Sequence, residues 1–273
     1  NLFDDVTLTA VIDRVERTPD RQSIIWHGEI VGEWLSSFTL AVTGDVASGN
    51  IRTIDGRFYQ LRYVSPGVFA VRDVDSSRLP EGAEPRVPSP QSLSASSKAN
   101  PNPASSEPSG DVVAPDDGST IDVMVVFTPA ARTAAGGLAA INNLIVLGVA
   151  ETNQGYLNSG VIQRVRLVHS AEVAYTESSP GAFDSALDAI TDNLIPNVHT
   201  LRNTHGADLV SLWIEDTEYC GLAWLMTVES PAFANKGYSV VARTCGTGYF
   251  SFAHEMGHNQ GSHHDRFVTG GGQ

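Results

Sequence analysis

Short runs in which apolar and polar residues alternate fill the first part of the chain. Turn-forming stretches such as TGD, IDGR and SPG separate these runs. A period of two residues is typical of strands that bury one face, and short connections favour antiparallel neighbours. The pattern therefore predicts a small antiparallel all-β domain over residues 1–78. Its predicted strands are VTLTAVIDRVE, SIIWHGEI, SSFTLAVTG, NIRTIDG, RFYQLRYV and VFAVRDVD.

The alternating pattern ends at residue 79. Residues 79–118 contain 8 of the chain's 14 prolines and almost no large apolar residue. A segment of this composition buries too little surface to offset the entropy lost on ordering, which favours an extended linker. Because exposed linkers are where proteases cut, we expect an activation cleavage site here.

Strands and helices alternate over residues 119–273. TIDVMVVFT is a strongly apolar, β-branched strand, and apolar residues then recur at helical spacing over 138–158. Further strands are predicted over 161–175, 207–216 and 238–244, and a helix that begins with proline over 180–193. Such alternation is typical of an α/β or α+β domain, whose mainly parallel, twisted sheet has helices packed on it.

Charge and composition narrow the class of function. The net charge is −14, and such an acidic surface argues against nucleic acid as a partner. No apolar run approaches the roughly 20 residues of a spanning helix, so we expect no membrane partner. The chain begins at Asn1 without a leader, which fits a secreted precursor that has lost its signal peptide. A chain trimmed at this end would look the same.

Cys220 and Cys245 are the two cysteines of the chain. In an exported protein, a pair separated by a short stretch with turns favours one disulfide. Closing a loop of that length adds about 3 kcal/mol in the chain-entropy model. The alternative is a pair of buried free thiols.

The stretch HEMGHNQGSHHD carries the clearest chemistry. His254 and His258 are four residues apart, so on a helix both imidazoles point to the same side. Two ring nitrogens placed in this way can bind one zinc ion at about 2.0–2.1 Å. Glu255 lies one step round the helix, where its carboxylate can take a proton from a water held at an open coordination position.

Two histidines leave such an ion short of ligands. If the helix continued, His264 would lie about 15 Å along its axis from His254 and could not bind the same ion. Gly261 lies between them, and glycine readily adopts the left-handed conformation that ends a helix. After such a turn His264 can supply the third nitrogen, and His263 is a less favoured alternative. The alternative without metal binding is that the motif is a surface helix that happens to be rich in histidine.

This spacing resembles the zinc signature of the metzincin metallopeptidases, which here reads His254-Glu255-x-x-His258-x-x-Gly261-x-x-His264-Asp265. The aspartate and the wording AHEMGHN are most similar to the adamalysin (reprolysin) branch. IDVMVVFTPAAR, TNQGYLNSGV and CGLAW resemble bacterial secreted peptidyl-Asp metalloendopeptidases. The resemblance covers about residues 120–265. It implies a metzincin-like catalytic domain with an active-site helix, zinc on the three histidines and Glu255 as general base.

The resemblance also implies how substrate binds. CGLAWLMT matches the edge strand along which such enzymes hold an extended peptide, paired with the backbone of Gly221, Leu222 and Ala223. The alternative is an ordinary edge strand. A preference for the bond on the N-terminal side of Asp needs a cationic group in the next pocket. Arg243 and Arg266 are candidates, although the sequence places neither of them in a pocket.

The chain departs from the metzincin pattern in two places. Metzincins continue past the third histidine into a subdomain with a methionine-containing turn, but no methionine follows Asp265 here. We therefore expect the C-terminal subdomain to be missing and the chain to be part of a longer one. The β domain would be an inhibitory propeptide, yet it has no cysteine to block the zinc. Asp73 or Asp75 could supply a carboxylate instead, unless both are merely surface acids.

The sequence therefore predicts a secreted zinc-dependent endopeptidase in proenzyme form, acting on protein or peptide substrates and inhibited by its own propeptide. The rival hypothesis is a non-catalytic adhesion or binding module with a structural zinc ion. A third possibility is a chain that binds zinc but is inactive without the missing subdomain. We assign no role to the remaining histidines, His27, His169, His199 and His205.

Overall fold

The computed structural model of the protein contains two β-sheets. The structure describes residues 2–96, 118, 120–178 and 181–265. One sheet precedes the proline-rich segment in the chain and the other follows it.

The first sheet contains six strands in chain order, each antiparallel to the next. Gly44, with φ +57°, and Gly67, with φ +73°, occupy tight turns where the left-handed conformation favours glycine. The predicted antiparallel all-β region is therefore confirmed. Its strands are β1 (Ala10–Arg17), β2 (Ser23–Ile30), β3 (Glu33–Thr43), β4 (Val46–Arg52), β5 (Phe58–Ser65) and β6 (Val68–Asp73).

The strands of the second sheet are β7 (Thr120–Phe127), β8 (Arg164–Glu172), β9 (Leu209–Ile214), β10 (Gly221–Ala223) and β11 (Tyr238–Ala242). Their spatial order is β10-β11-β9-β7-β8, and all neighbours are parallel except β10, which runs antiparallel to β11. Every residue of β9 and β11 is buried, as expected when helices cover both faces. The predicted mainly parallel sheet is confirmed, with β10 as an edge strand.

Six α-helices are present among the described residues. They are α1 (Pro90–Ser96), α2 (Pro129–Ala135), α3 (Leu138–Asn158), α4 (Ala182–Thr191), α5 (Val198–His205) and α6 (Ser251–Asn259). The long helix predicted over 138–158 is confirmed with those bounds, and the one predicted over 180–193 is confined to α4. The sequence pattern does not predict α2 or α5, because each is too short for helical periodicity to be distinctive.

Two apolar clusters, one on each face of the second sheet, form the main core. One contains α4, and the other contains α3 and α6. In the second cluster Trp213 of β9 is fully buried, and its ring centroid lies 5.7 Å from that of Phe252 on α6. A Cβ built on Gly148 of α3 would lie 3.4 Å from the same indole. The sheet therefore fixes α6 through close contact with a large aromatic ring.

The first sheet packs on α3. Ile25 and Ala41 of the sheet form a small buried cluster with Leu147 and Ala150 of the helix. The side-chain amide of Asn143 donates a hydrogen bond to the carbonyl of Ala41 at 3.2 Å. Helix α3 therefore joins the two sheets, because one of its sides packs on the first sheet and another on the second.

A buried polar network joins the first sheet to the loop that precedes α6. The carboxylate of Glu151 on α3 accepts hydrogen bonds from the Asn50 amide and from the Gly248 backbone N–H, the latter at 2.7 Å. Arg62 donates to Oδ1 of Asn50 at 2.9 Å and to Oγ1 of Thr247 at 2.8 Å. Desolvation of the Arg62 guanidinium lowers its pKa to about 9.

Part of the proline-rich segment lies against the second sheet. Leu79, Ala83 and Leu93 pack on the core cluster that contains α4, and Pro88 is buried. Residues 97–117, the remainder of the predicted linker, lie outside the described residues. In the described part of the chain, no single helix is long and apolar enough to cross a membrane. The pair α2 and α3, bent by 91° at their junction, meets that criterion only when taken together and by length and composition alone.

Candidate active site

Helix α6 and the turn after it bring three imidazoles together. Nε2 of His254 lies 3.0 Å from Nε2 of His258 and 3.0 Å from Nε2 of His264, and the last two are 3.2 Å apart. Tetrahedral ligands at about 2.0–2.1 Å from a zinc-sized ion are separated by about 3.3 Å, so these nitrogens fit one metal ion. His263, the alternative third ligand, is exposed and outside the group.

The return of His264 to the helix depends on Gly261, whose φ is +92°. The N–H of Gly261 donates to the carbonyl of His258 at 3.0 Å, and the N–H of Ser262 donates to that of Gly257 at 2.8 Å. These bonds satisfy the last carbonyls of α6 and turn the chain back, as a left-handed glycine does at a helix end. The structure therefore has the helix-ending turn that the sequence predicts.

Two further contacts orient the site. Nδ1 of His258 lies 2.7 Å from the carbonyl of Ser262, to which it donates, and this leaves Nε2 free as a ligand. The amide of Asn259 donates to the carbonyls of Trp224 at 2.8 Å and Tyr238 at 3.2 Å. These bonds tie the end of α6 to β11 and to the residue after β10.

Glu255 is buried completely, and neither oxygen of its carboxylate has a hydrogen-bond partner among the described residues. Desolvation raises its pKa well above the usual range. A Cβ built on Gly221 of β10 would lie only 2.2 Å from Oε1 of Glu255. The edge strand therefore leaves room for this carboxylate because it has glycine at that position. A buried, unpartnered acid is rare and is typical of functional sites.

Burial keeps His254 and His258 in the neutral form that binds metal. Desolvation, followed by the imidazoles of His258 and His264, lowers the pKa of His254 to about 4. Desolvation also lowers the pKa of His258. Neutral imidazoles have a free ring nitrogen, so these two residues can bind a cation at neutral pH without first losing protons.

Residues 79–88, which we call the covering segment, run along β10. The carbonyls of Gly221 and Ala223 accept hydrogen bonds from the N–H groups of Ala83 at 3.0 Å and Arg86 at 2.8 Å. Leu222 is paired instead with β11 inside the sheet. Two of the three residues predicted to hold a peptide through their backbone are thus bonded to another part of the same chain.

The covering segment runs parallel to β10 and crosses the histidine site. A Cβ built on Gly82 would lie 3.8 Å from both Oε1 of Glu255 and Nε2 of His254. Oε1 of Glu84 lies 3.5 Å from Nδ1 of His264. The sequence gives no signal for this contact, because prolines and small residues in this stretch are equally typical of a linker.

The structure does not bring Asp73 or Asp75 to the histidines, contrary to that part of the prediction. Asp73 ends β6 opposite Tyr59 in the first sheet. Asp75 accepts hydrogen bonds from the backbone N–H of Ser77 at 3.0 Å and from its hydroxyl at 2.6 Å. Its carboxylate is therefore used locally, to cap a short 3-10 turn.

The remaining predicted residues are the two cysteines and the two arginines considered as cationic groups for the Asp preference. Cys220 and Cys245 form the predicted disulfide, which ties the start of β10 to the loop after β11. Arg243 makes a two-pronged ion pair with Glu215, at 2.6 and 2.8 Å, so its charge is already neutralised. Arg266 lies outside the described residues.

The other histidines stand apart from the site. His169 stacks on His205 with ring centroids 4.0 Å apart, and Nε2 of His199 lies 2.7 Å from the carbonyl of Ile190. His27 is buried in the first sheet. Within the described residues, the α6 triad is the one group of three or more side chains that could hold a metal ion.

Comparison with known families agrees with this geometry. Residues 117–269 match the family model described as Reprolysin_5, Metallo-peptidase family M12. The chain belongs to this metallopeptidase family. The resemblance of its histidine motif to the reprolysin branch is thereby confirmed.

The chain is similar to two curated proteins named peptidyl-Asp metalloendopeptidase. It is 36% identical over 280 residues to the one from Stenotrophomonas maltophilia (strain K279a), covering 94% of this chain and 61% of that protein. It is 33% identical over 285 residues to the one from Xanthomonas campestris pv. campestris, covering 96% of this chain and 63% of that protein. The chain thus spans about six tenths of the length of these M12 relatives. Among solved structures, metalloproteinase-II from Bacteroides fragilis gives a TM-score of 0.47 at 10% identity, covering 94% of this chain and 77% of that one.

Proposed function

We propose that this chain belongs to a secreted zinc endopeptidase in proenzyme form, which prefers the peptide bond on the N-terminal side of Asp. The name peptidyl-Asp metalloendopeptidase, given to the relatives from S. maltophilia and X. campestris, supports both the reaction and the preference. The Cys220–Cys245 disulfide supports export, because disulfides persist in oxidising compartments.

One observation carries the proposal of catalysis. Three ring nitrogens converge within 3.2 Å of one another beside a carboxylate that is buried and has no partner among the described residues. A purely structural metal site has no use for an unpartnered acid next to its ligands, since burying that acid costs stability. Glu255 therefore argues against the rival hypothesis of an adhesion module.

The residues of the site have different roles in the proposed hydrolysis. Zinc held by His254, His258 and His264 would supply Lewis acidity toward a water and the substrate carbonyl. Glu255 is placed to accept a proton from the attacking water and to deliver it to the leaving amine. The carbonyls of β10 would align the peptide by strand addition.

The covering segment supports a proenzyme. It uses the backbone carbonyls of Gly221 and Ala223 that a bound peptide would use, and it places Gly82 over the metal ligands and Glu255. The first sheet would then be the propeptide, which keeps the segment in place by packing on α3. Inhibition of this kind works by occlusion and needs neither a cysteine nor Asp73 or Asp75.

The preference for Asp needs a cationic group beside the cleaved bond. Arg243 is a poor candidate because Glu215 already pairs with it. We therefore base this part of the proposal on the names of the relatives alone. Sequencing the fragments of a digested unstructured protein would test it directly, and cuts distributed without regard to Asp would refute it.

The test of the reaction uses the full-length protein with a specific protease site placed within residues 97–117. After cutting, zinc content and digestion of an unstructured protein are measured for the parent, for Glu255→Ala and for Glu229→Gln. Glu229 is an exposed acid in the loop after β10, so it controls for the loss of one negative charge. Stoichiometric zinc in all three, with digestion lost only in Glu255→Ala, is expected. Zinc without digestion in any of them, even after dilution to about 10 nM to release the inhibitor, would contradict the proposal.

A further inference from the structure

The side chain of Arg86 in the covering segment is seated in a subsite of opposite charge. Its guanidinium carbon lies 4.5 Å from the ring centroid of Trp224, within the range of a cation–π contact. Its Nη1 lies 2.7 Å from Oδ1 of Asp188 and 3.7 Å from Oδ1 of Asp184. An aromatic face and two carboxylates thus hold one cation at the end of β10.

The subsite belongs to the part of the chain that follows the linker, so it would remain when the covering segment leaves. Asp184 and Asp188 are four residues apart on α4 and therefore share one face of that helix. Trp224 is 7% exposed, and its indole N–H donates to the hydroxyl of Thr191 on the same helix at 2.9 Å. The bond to Thr191 does not involve Arg86 and holds the indole when Arg86 leaves, so the subsite is preformed.

The net charge of the subsite favours binding of a cationic side chain, even though the ammonium group of Lys236 is already nearby. Nζ of Lys236 also lies over the Trp224 ring, 4.4 Å from its centroid. Lys236 in turn feels the negative charge of Asp192 as well as that of Asp188. Without Arg86, three carboxylates (Asp184, Asp188 and Asp192) face one ammonium, which leaves a net charge of −2.

We infer that this surface, formed by Trp224, Asp184 and Asp188, is a specificity subsite that binds an arginine or lysine side chain of the substrate. The inference rests on the proposed function. Arg86 shows which chemistry the subsite accepts, and it comes four residues after Gly82, the residue over the metal ligands. A substrate extended along β10 would therefore place its cationic residue about four positions from the cleaved bond.

The experiment uses the cut full-length protein and a series of peptides of about ten residues. Each peptide contains one cleaved bond, identified beforehand from digestion of an unstructured protein, and a single arginine is moved through every position on both sides of it. The value measured is the ratio of kcat/KM for arginine to that for alanine at each position. This ratio is independent of how much protein is active, because both peptides are cleaved by the same preparation.

A ratio of about ten is expected at one position, about four residues from the cleaved bond, since the contacts are partly exposed. The side of the bond on which it appears gives the direction of the substrate along β10. The ratio should fall to near one in Asp184→Asn/Asp188→Asn and remain about ten in the control Glu229→Gln. Cleavage with a flat arginine profile, or a profile unchanged in the double variant, would overturn the subsite alone. If the diluted, cut protein cleaves no bond in the unstructured protein, the proposed function is overturned instead, and the subsite with it.

Discussion

Replacing Gly221 by alanine should remove activity without removing the metal. The added methyl group would lie 2.2 Å from Oε1, 2.5 Å from Cγ and 2.6 Å from Cδ of Glu255. Ordinary contacts begin near 3.4 Å, so the shortfall is 3.4 minus 2.2, or about 1.2 Å. The carboxylate must move by about that distance, because the methyl group is anchored to the backbone of β10, which is paired with β11.

A displacement of about 1 Å in a reacting group costs roughly 10²-fold in rate, which sets the expected loss of kcat. The three atoms nearest to the new methyl group all belong to Glu255 and none to a histidine, so zinc should bind in the same amount. The same crowding should also lower the free energy of unfolding by about 1–3 kcal/mol, which calls for assays well below the melting temperature.

The assay compares kcat and zinc content for Gly221→Ala and for the matched variant Gly155→Ala. Gly155 lies within α3, where an added methyl group meets no atom within 4 Å. Alanine there should leave kcat unchanged and should stabilise the helix slightly. The reasoning would be refuted if Gly221→Ala kept more than about a third of the parent kcat with zinc bound. Loss of zinc along with activity would also refute it, because the argument requires the metal site to survive.

Three further predictions concern stability. Burial lowers the pKa of His27 to about 4, below its unfolded value of about 6.5, so the native state binds fewer protons than the unfolded state. Stability should therefore fall by up to about 3 kcal/mol as the pH drops from about 6.5 to about 4, and denaturant titrations should show a shallower fall in His27→Gln. Replacing Cys220 and Cys245 by alanine opens a loop with a sequence separation of 25 and should cost about 3 kcal/mol, and an unchanged denaturation midpoint would contradict this. Arg62→Ala removes a buried hydrogen-bond donor from Asn50 and Thr247. Calorimetry should therefore show that the first sheet melts at a lower temperature, with a loss of about 2–4 kcal/mol in the free energy of unfolding.

The metal site could be predicted from sequence because its geometry is local. Four residues separate His254 from His258, and a single glycine with positive φ lets His264 return to them. Helical periodicity and the conformational freedom of glycine fix such an arrangement without any information about the rest of the fold. The long helix α3 was predictable for a similar reason, since its apolar positions repeat over many turns.

The covering segment was not predictable, because its contacts are set by the partner surface and not by its own pattern. Gly82 and Arg86 form no local structure, and their neighbours are residues more than one hundred positions away. Arg243 failed as a candidate for a related reason, since only the fold reveals that Glu215 lies beside it. Where a site depends on which side chain lies opposite, composition and spacing carry no signal.

The order of elements along the chain has a consequence for activation. The first sheet, the covering segment and α1 all precede residue 97, so a cut within residues 97–117 leaves the inhibitor in one piece. Cutting thus converts an intramolecular contact, with an effective concentration in the millimolar range, into a complex of two chains. That complex would still be held by the packing on α3, the network around Glu151 and the subsite for Arg86.

Activity after cutting should therefore depend on concentration. Specific activity toward a peptide substrate should rise when the cut protein is diluted from about 10 µM to about 10 nM, because the two pieces separate by mass action. The control is the same cut protein carrying Arg86→Ala, in which one anchor of the inhibitor is lost and the rise should begin at a higher concentration. Specific activity that is already constant across this range would show that the first sheet does not hold the covering segment on the cleft, and the proposed mode of latency would then be wrong.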